Sequence, residues 1–306
     1  MSETPRILYC HCANAQVTPL ETREAVLREL CASGLPFEAV SDLCERSARR
    51  DPLLKRLASS ARLVVAACHP RTVRCLFAAS EATLCEENTQ FLNLRTETAE
   101  TTCNSLREIP CAENNASPQS FETLRDQLKP NPPGLWNPWA PVIDYDRCTG
   151  CMQCLSFCLF GVYGVDAESL LEVRNPEQCK TNCPACSRVC PEAAILFPKH
   201  NADAINGGST PGTGPAREAM KVDLSALLGG DIYAQLRERN QSTQARFSKE
   251  RDPAQALAER RKYLALLTQA GDIPPEVFNN LPAPEEIARR AAEAKAQAQA
   301  ALKNKK

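Results

Sequence analysis

The sequence predicts an α/β plus α+β protein: a small, mostly parallel α/β domain, then a compact cysteine-dense α+β domain, then a helical tail. Three observations carry this. Residues 6–110 alternate short apolar runs with amphipathic stretches in a βαβαβα order, which implies a mostly parallel sheet with right-handed crossovers. Eight of the 17 cysteines crowd into residues 148–190. Residues 191–306 contain no cysteine and end in a run rich in Ala, Glu, Lys, Arg and Gln.

Taken in order, Arg6–Tyr9 is a short apolar strand. Thr18 then reads as an N-cap, with Pro19 at the first helical position and Glu21 closing a capping box. Leu20, Ala25, Val26, Leu27, Leu30 and Cys31 supply the apolar face of that helix, and Gly34 stops it. Phe37–Val40 is the second strand, and Asp51-Pro52 opens a helix through Leu53, Leu54 and Leu57. The unbroken apolar run Leu63–Ala67 is expected of a buried central strand. A helix from Arg71 to about Ser80 and a strand over Gln90–Asn93 complete the domain, residues 1–110.

Residues 111–140 have linker composition, with a short helical piece around Phe121–Leu128. Trp136 and Trp139 are expected to pack this connector against its neighbours. The second domain is placed at 141–200, a flexible Gly/Pro-rich linker at 201–230 and a helical tail at 231–306. Within that tail, Asp231 is positioned to cap one helix, and Asp252-Pro253 to start another that Gly271 stops. From Glu285 to Lys306 the large apolar residues are Ile287 and Leu302, which reads as a solvated helix.

Composition narrows the function classes. Lys+Arg total 36 against 37 Asp+Glu, so no net field selects nucleic acid or an anionic membrane. The N-terminus lacks a basic segment followed by a long apolar stretch, and Leu63–Cys68 is too short to span a bilayer. A cytoplasmic location without membrane insertion is therefore expected, and there thiols stay reduced, so dense cysteine points to metal or redox chemistry.

Residues 148–158 read Cys148-Thr149-Gly150-Cys151-Met152-Gln153-Cys154-Leu155-Ser156-Phe157-Cys158. In this C-x2-C-x2-C-x3-C run, three thiolates on a tight loop can hold three corners of a cubane [4Fe–4S] cluster, with the fourth aimed away. Residues 179–191 repeat the pattern as C-x3-C-x2-C-x3-C-P. A set of four cysteines also binds zinc, but zinc sites pair two C-x2-C units across a longer spacer.

The segment resembles a bacterial two-cluster ferredoxin over about 60 residues. The resemblance implies crossed ligation: Cys148, Cys151, Cys154 and Cys190 on one cluster, and Cys179, Cys183, Cys186 and Cys158 on the other. Two departures stand out. Leu159 replaces the usual Pro, and the extra residue between Cys179 and Cys183 suggests a bulged loop.

In the first domain, Cys10 and Cys12 follow the first strand, Cys44 follows the second and Cys68 ends the third. In an open parallel sheet all four converge outside the strands' carboxyl ends, where ligands bind. Four thiolates suffice for a third [4Fe–4S] cluster or a zinc ion. Cys103 and Cys111 are substitutes for one of the four, and Cys31, Cys75 and Cys85 read as core. His11 and His69 are ligands or hydrogen-bond donors beside them.

Tyr9-Cys10-His11-Cys12, the isolated Cys44, Val64–Thr72 and Asn93-Leu94-Arg95 resemble the N-terminal region of the flavin-bearing subunit of heterodisulfide reductase. That resemblance implies an iron–sulfur module attached to an electron-distributing assembly. Ala13 stands where that family commonly has Gly. The family's flavin domain is not matched: the chain has one glycine, Gly34, before Gly134 and no G-x-G-x-x-G, so neither flavin nor NAD is expected.

The expected function is an electron carrier or electron-transfer subunit, rather than a stand-alone enzyme. It would exchange electrons with redox proteins, among them a heterodisulfide reductase-like or flavin-containing oxidoreductase. Two rivals are a thiol/disulfide oxidoreductase with Cys12 or Cys68 as nucleophile, and a scaffold with structural clusters that docks through its tail.

Overall fold

The computed structural model describes residues 5–110, 119–208, 276 and 282–304. The first domain holds four parallel strands, β1 (Arg6–Cys10), β2 (Phe37–Val40), β3 (Leu63–Ala67) and β4 (Thr89–Asn93), in the order β2-β1-β3-β4. The order reverses between β1 and β3, which opens a crevice at their carboxyl ends. Alternate residues face opposite sides. Ile7, Tyr9, Val64 and Ala66 pack with α1 (Leu20–Ser33), α5 (Ala99–Arg107) and α6 (Phe121–Gln127). Leu8, Cys10, Val65 and Ala67 pack with α2 (Leu43–Ala48), α3 (Pro52–Ala58) and α4 (Pro70–Ala79).

Local chemistry accounts for most boundaries. Asp51 accepts the Leu53 N–H at 2.9 Å and caps α3, with Pro52 at its first position. Gly34 ends α1 in the left-handed conformation, φ 68°. The start of α1 differs from expectation. Pro19 occupies the N-cap, no side chain caps the helix, Thr18 is buried and Leu20 is exposed. Two helices, α2 and α5, have no counterpart among the expected elements. Asp42 caps α2 by accepting the N–H groups of Cys44 and Glu45, and Thr98 caps α5 by accepting that of Thr101.

The second domain is built on two small antiparallel pairs. β5 (Val142–Ile143) pairs with β8 (Ile195–Leu196), and β6 (Tyr163–Val165) with β7 (Leu171–Val173). Short helices α7 (Gln153–Phe157) and α8 (Ala185–Val189) follow the two cysteine loops. The domains share a core, because Val142 and Leu196 join the apolar cluster under β1 and β3. Arg71 adds an ion pair to Asp144 at 2.8 Å and donates to the Ala193 carbonyl at 3.0 Å. Trp139 stacks on Phe197, as the packing role expected for it requires.

Two segments pack more tightly than the sequence suggests. Residues 201–208, read as the start of a flexible linker, form α9 (Asp203–Asn206), bury Ile205 and receive the Thr72 hydroxyl on the Asn206 carbonyl. The last helix, α10 (Pro284–Asn304), is not solvated all round. Its Ala298 and Ala301 are buried in the core of the second domain, with Ala294 partly covered there. Small side chains at i, i+4 and i+7 let α10 lie close against α7 and β6. The helices expected from Asp231 and Asp252 lie outside the described residues. Among the described residues, no helix is long and apolar enough to cross a membrane.

Candidate metal centres

The two cysteine loops of the second domain use left-handed backbone at matching places. Gly150 (φ 62°) precedes Cys151, and Asn182 (φ 61°) precedes Cys183. Asn is the non-glycine residue that tolerates this region best, so the longer Cys179–Cys183 loop closes without a glycine.

The fold exchanges the fourth cysteine of each motif. Burial raises the Cys154 thiol, and the negative charges of Cys190, Cys151 and Cys148 raise it further. Cys148, Cys151, Cys154 and Cys190 line one shallow recess, with Cys151 exposed at its mouth. Cys158 lies with the other group. Burial raises Cys186 well above the ordinary thiol value, reinforced by Cys179, Cys158 and Cys183. Cys183 is pushed up to about 11 by burial, with Cys158 adding to the effect.

Donors surround these sulfurs. Burial raises the Cys158 thiol, opposed by backbone N–H groups of Val162, Phe160 and Gly161 that point at its sulfur. The Tyr163 hydroxyl donates to the Cys186 sulfur at 3.1 Å, and the Ala194 N–H to that of Cys190 at 3.3 Å.

A model for a 4Fe–4S binding domain matches residues 140–163. The chain is similar to an uncharacterised ferredoxin of Methanocaldococcus jannaschii, at 52% identity over 62 residues, 20% of this chain and 41% of that one. It is 31% identical over 75 residues to Ferredoxin-3 of a Nostoc species, covering 19% of this chain and 76% of that protein. The chain belongs to the ferredoxin family. Pyruvate synthase subunit PorD of Methanothermobacter marburgensis is 34% identical over 65 residues, 21% of this chain and 73% of that one. The match thus takes in about two fifths of the M. jannaschii ferredoxin's length. No solved structure matches the chain. These matches place a ferredoxin-type 4Fe–4S binding module in the second domain.

At the carboxyl edge of the parallel sheet, the four cysteines named there also come together. Burial raises Cys10 well above its ordinary value, and Cys12 and Cys68 add to this. Cys44 responds to burial first and also to Cys68 and Cys12, and Cys68 is pushed up to about 12 by burial, then Cys12. Cys10 accepts the Leu43 N–H at 3.3 Å, and Cys12 takes the left-handed conformation, φ 50°.

Cations flank this third set. Lys199 is buried in an ion pair with Asp42 at 2.6 Å and acts on Cys44 and Cys12. Buried Arg23 donates to the His11 carbonyl at 3.2 Å, between the two cysteines of the Cys-x-Cys pair. The histidines hold hydrogen bonds: His11 Nδ1 meets the Tyr9 hydroxyl at 2.9 Å, and His69 Nδ1 the Asn93 amide at 3.2 Å. Cys31 and Cys75 are core as expected, but Cys85 is exposed. Cys103 is buried on the other face of the sheet, with α5 and α1, so it does not join the set. Cys111 lies outside the described residues.

All three sets suit a [4Fe–4S] cluster in donor type: four sulfurs each, buried or half-buried except the exposed Cys151, with N–H, O–H or cationic groups nearby to offset the cluster's negative charge. Among the described residues, no group of three or more His, Cys, Asp or Glu side chains gathers tightly enough for one bare ion.

Proposed function

We propose that this protein is an electron-transfer subunit that carries single electrons through three [4Fe–4S] clusters to or from a larger oxidoreductase. The observation that carries the reading is the exchange of Cys158 and Cys190 between the two motifs, which leaves each group with four sulfurs. When bound, each cluster accepts and releases one electron. The chain's own residues hold the sulfurs in buried sites and exclude water. The N–H groups around Cys158, the Tyr163 hydroxyl and the Lys199 and Arg23 charges stabilise the more negative reduced state and raise the potential.

The first domain supplies the third cluster, held by Cys10, Cys12, Cys44 and Cys68. In this it follows the N-terminal region of the flavin-bearing subunit of heterodisulfide reductase. A relative named as a subunit of pyruvate synthase supports a role beside a larger redox enzyme. The partner is then a heterodisulfide reductase-like or flavin-containing oxidoreductase, and the protein works in the cytoplasm. Thiol/disulfide chemistry has less support, because Cys12 and Cys68 sit in one group with Cys10 and Cys44, a set of four sulfurs that suits a cluster.

Iron and sulfide quantification with EPR on anaerobic full-length protein tests the reading. About twelve irons per chain are expected, falling to about eight in Cys68→Ser. A value of about eight in the unaltered protein would remove the third cluster. Iron that does not cycle reversibly between oxidation states would overturn the carrier role.

A further inference from the structure

The two ferredoxin sites are unequally covered. The set of Cys148, Cys151, Cys154 and Cys190 opens to solvent through the exposed Cys151. The set that includes Cys158 has a wall drawn from far along the chain. Helix α10 packs on α7 and β6, the elements on either side of the Cys158–Val162 turn. Its Ala298 and Ala301 are buried in the same core as Phe160, Tyr163 and Cys186.

One side chain of α10 reaches the turn itself. Arg290 donates from a terminal guanidinium nitrogen to the Phe160 carbonyl at 2.9 Å, across 130 positions of sequence. Its Nε pairs with Glu286 at 2.5 Å, which fixes the guanidinium and neutralises part of its charge. Gly161 has φ 70°, and a β-carbon there would lie 3.3 Å from the Gln178 side chain and 3.8 Å from Arg290. The turn is thus clasped between Arg290 and the segment that leads into Cys179. Its Phe160, Gly161 and Val162 N–H groups are the ones that point at the Cys158 sulfur.

We propose that α10 is the outer wall of the Cys158, Cys179, Cys183 and Cys186 site, and that Arg290 is its positioning residue. By holding the Phe160 carbonyl, Arg290 fixes the turn that aims three N–H donors at Cys158, and it adds positive charge beside the site. This inference rests on the two-cluster reading of the module. Its consequence is directional: a redox partner exchanges electrons at the Cys151 face, and the walled cluster is an internal station.

The test uses the full-length, cluster-loaded protein and its Arg290→Gln, Arg290→Lys and Ala298→Glu variants. Ala298→Glu places a charge in the seam between helix and module. Potentiometric EPR titration should show one cluster's midpoint potential lowered in Arg290→Gln and mostly restored in Arg290→Lys, with those of the other clusters unchanged. Iron release in air should run severalfold faster in Ala298→Glu. Unchanged potentials and release rates in both Arg290→Gln and Ala298→Glu, with normal iron content, would overturn the wall. So would an equal shift of the potentials of both ferredoxin-module clusters. If the unaltered ferredoxin module holds only about four irons, the two-cluster reading fails instead.

Discussion

The Lys199 ammonium lies 2.6 Å from the Asp42 carboxylate, with side chains 3% and 1% exposed. Asp42 caps α2, the helix that carries Cys44, and also accepts the Asn14 side-chain amide at 3.2 Å. A residue just beyond the last strand of the ferredoxin module therefore completes the electrostatics of the first domain's cysteine edge. Lys199→Ala leaves a buried carboxylate without its cation, at an expected cost of about 3–5 kcal/mol. Denaturant unfolding of anaerobic protein measures it. A loss below about 1 kcal/mol, the range of surface pairs, would show that water reaches the pair.

Exchanged fourth ligands predict a specific pattern of non-additivity. Cys154→Ala and Cys190→Ala act on one site, so the double variant should lose no more iron than either single one, about four per chain. Cys154→Ala with Cys158→Ala acts on two sites and should lose about eight. Iron analysis after anaerobic reconstitution distinguishes these, and the reverse pattern would assign each motif its own cluster.

Tyr163→Phe removes the hydroxyl that donates to Cys186 at 3.1 Å while keeping the buried ring. Loss of a hydrogen bond to sulfur disfavours the reduced state. One midpoint potential should fall while iron content holds. No change would mean that the hydroxyl turns to another acceptor once the cluster is bound.

Asp51→Ala should destabilise the protein by about 1 kcal/mol at neutral pH through loss of the α3 cap. The effect has a predicted pH dependence. The Leu53 N–H, and then Arg46, hold the Asp51 carboxyl below its ordinary value of 3.8. Its stabilisation is present above the unfolded value and disappears as pH falls through the lower folded one. Stability of the two proteins, measured by denaturant titration across that acid range, should therefore converge. A constant difference down to the lowest pH would mean that the charge of Asp51 contributes nothing.

Much of this architecture is legible along the chain because it is local. Strand β3 is recognisable from five consecutive apolar residues, α3 from Asp51-Pro52, and the cysteine loops from their spacing. Helix α2 is not, because its six residues are too few for a 3.6-residue period to emerge, although Asp42 marks its start. At α1 the Thr18 signal fails because Thr18 is buried in the fold and Pro19 takes the cap position instead. Counting only large apolar residues hides the seam of α10, which is made of Ala294, Ala298 and Ala301. The contacts of Lys199 with Asp42 and of Arg290 with Phe160 span 157 and 130 positions, so no local pattern announces them.

The exchange of fourth cysteines also bears on how the chain is made. Read from the N-terminus, the group begun at Cys148 waits for Cys190, whereas the group begun at Cys158 is complete at Cys186. With that ligation, both sites come into being within four residues of each other, after nearly the whole module has left the ribosome. On that ligation, neither site would have its four sulfurs on a half-made module, so the two would be completed almost together. A chain that stops just before Cys186 would carry six of the module's eight cysteines and no finished site.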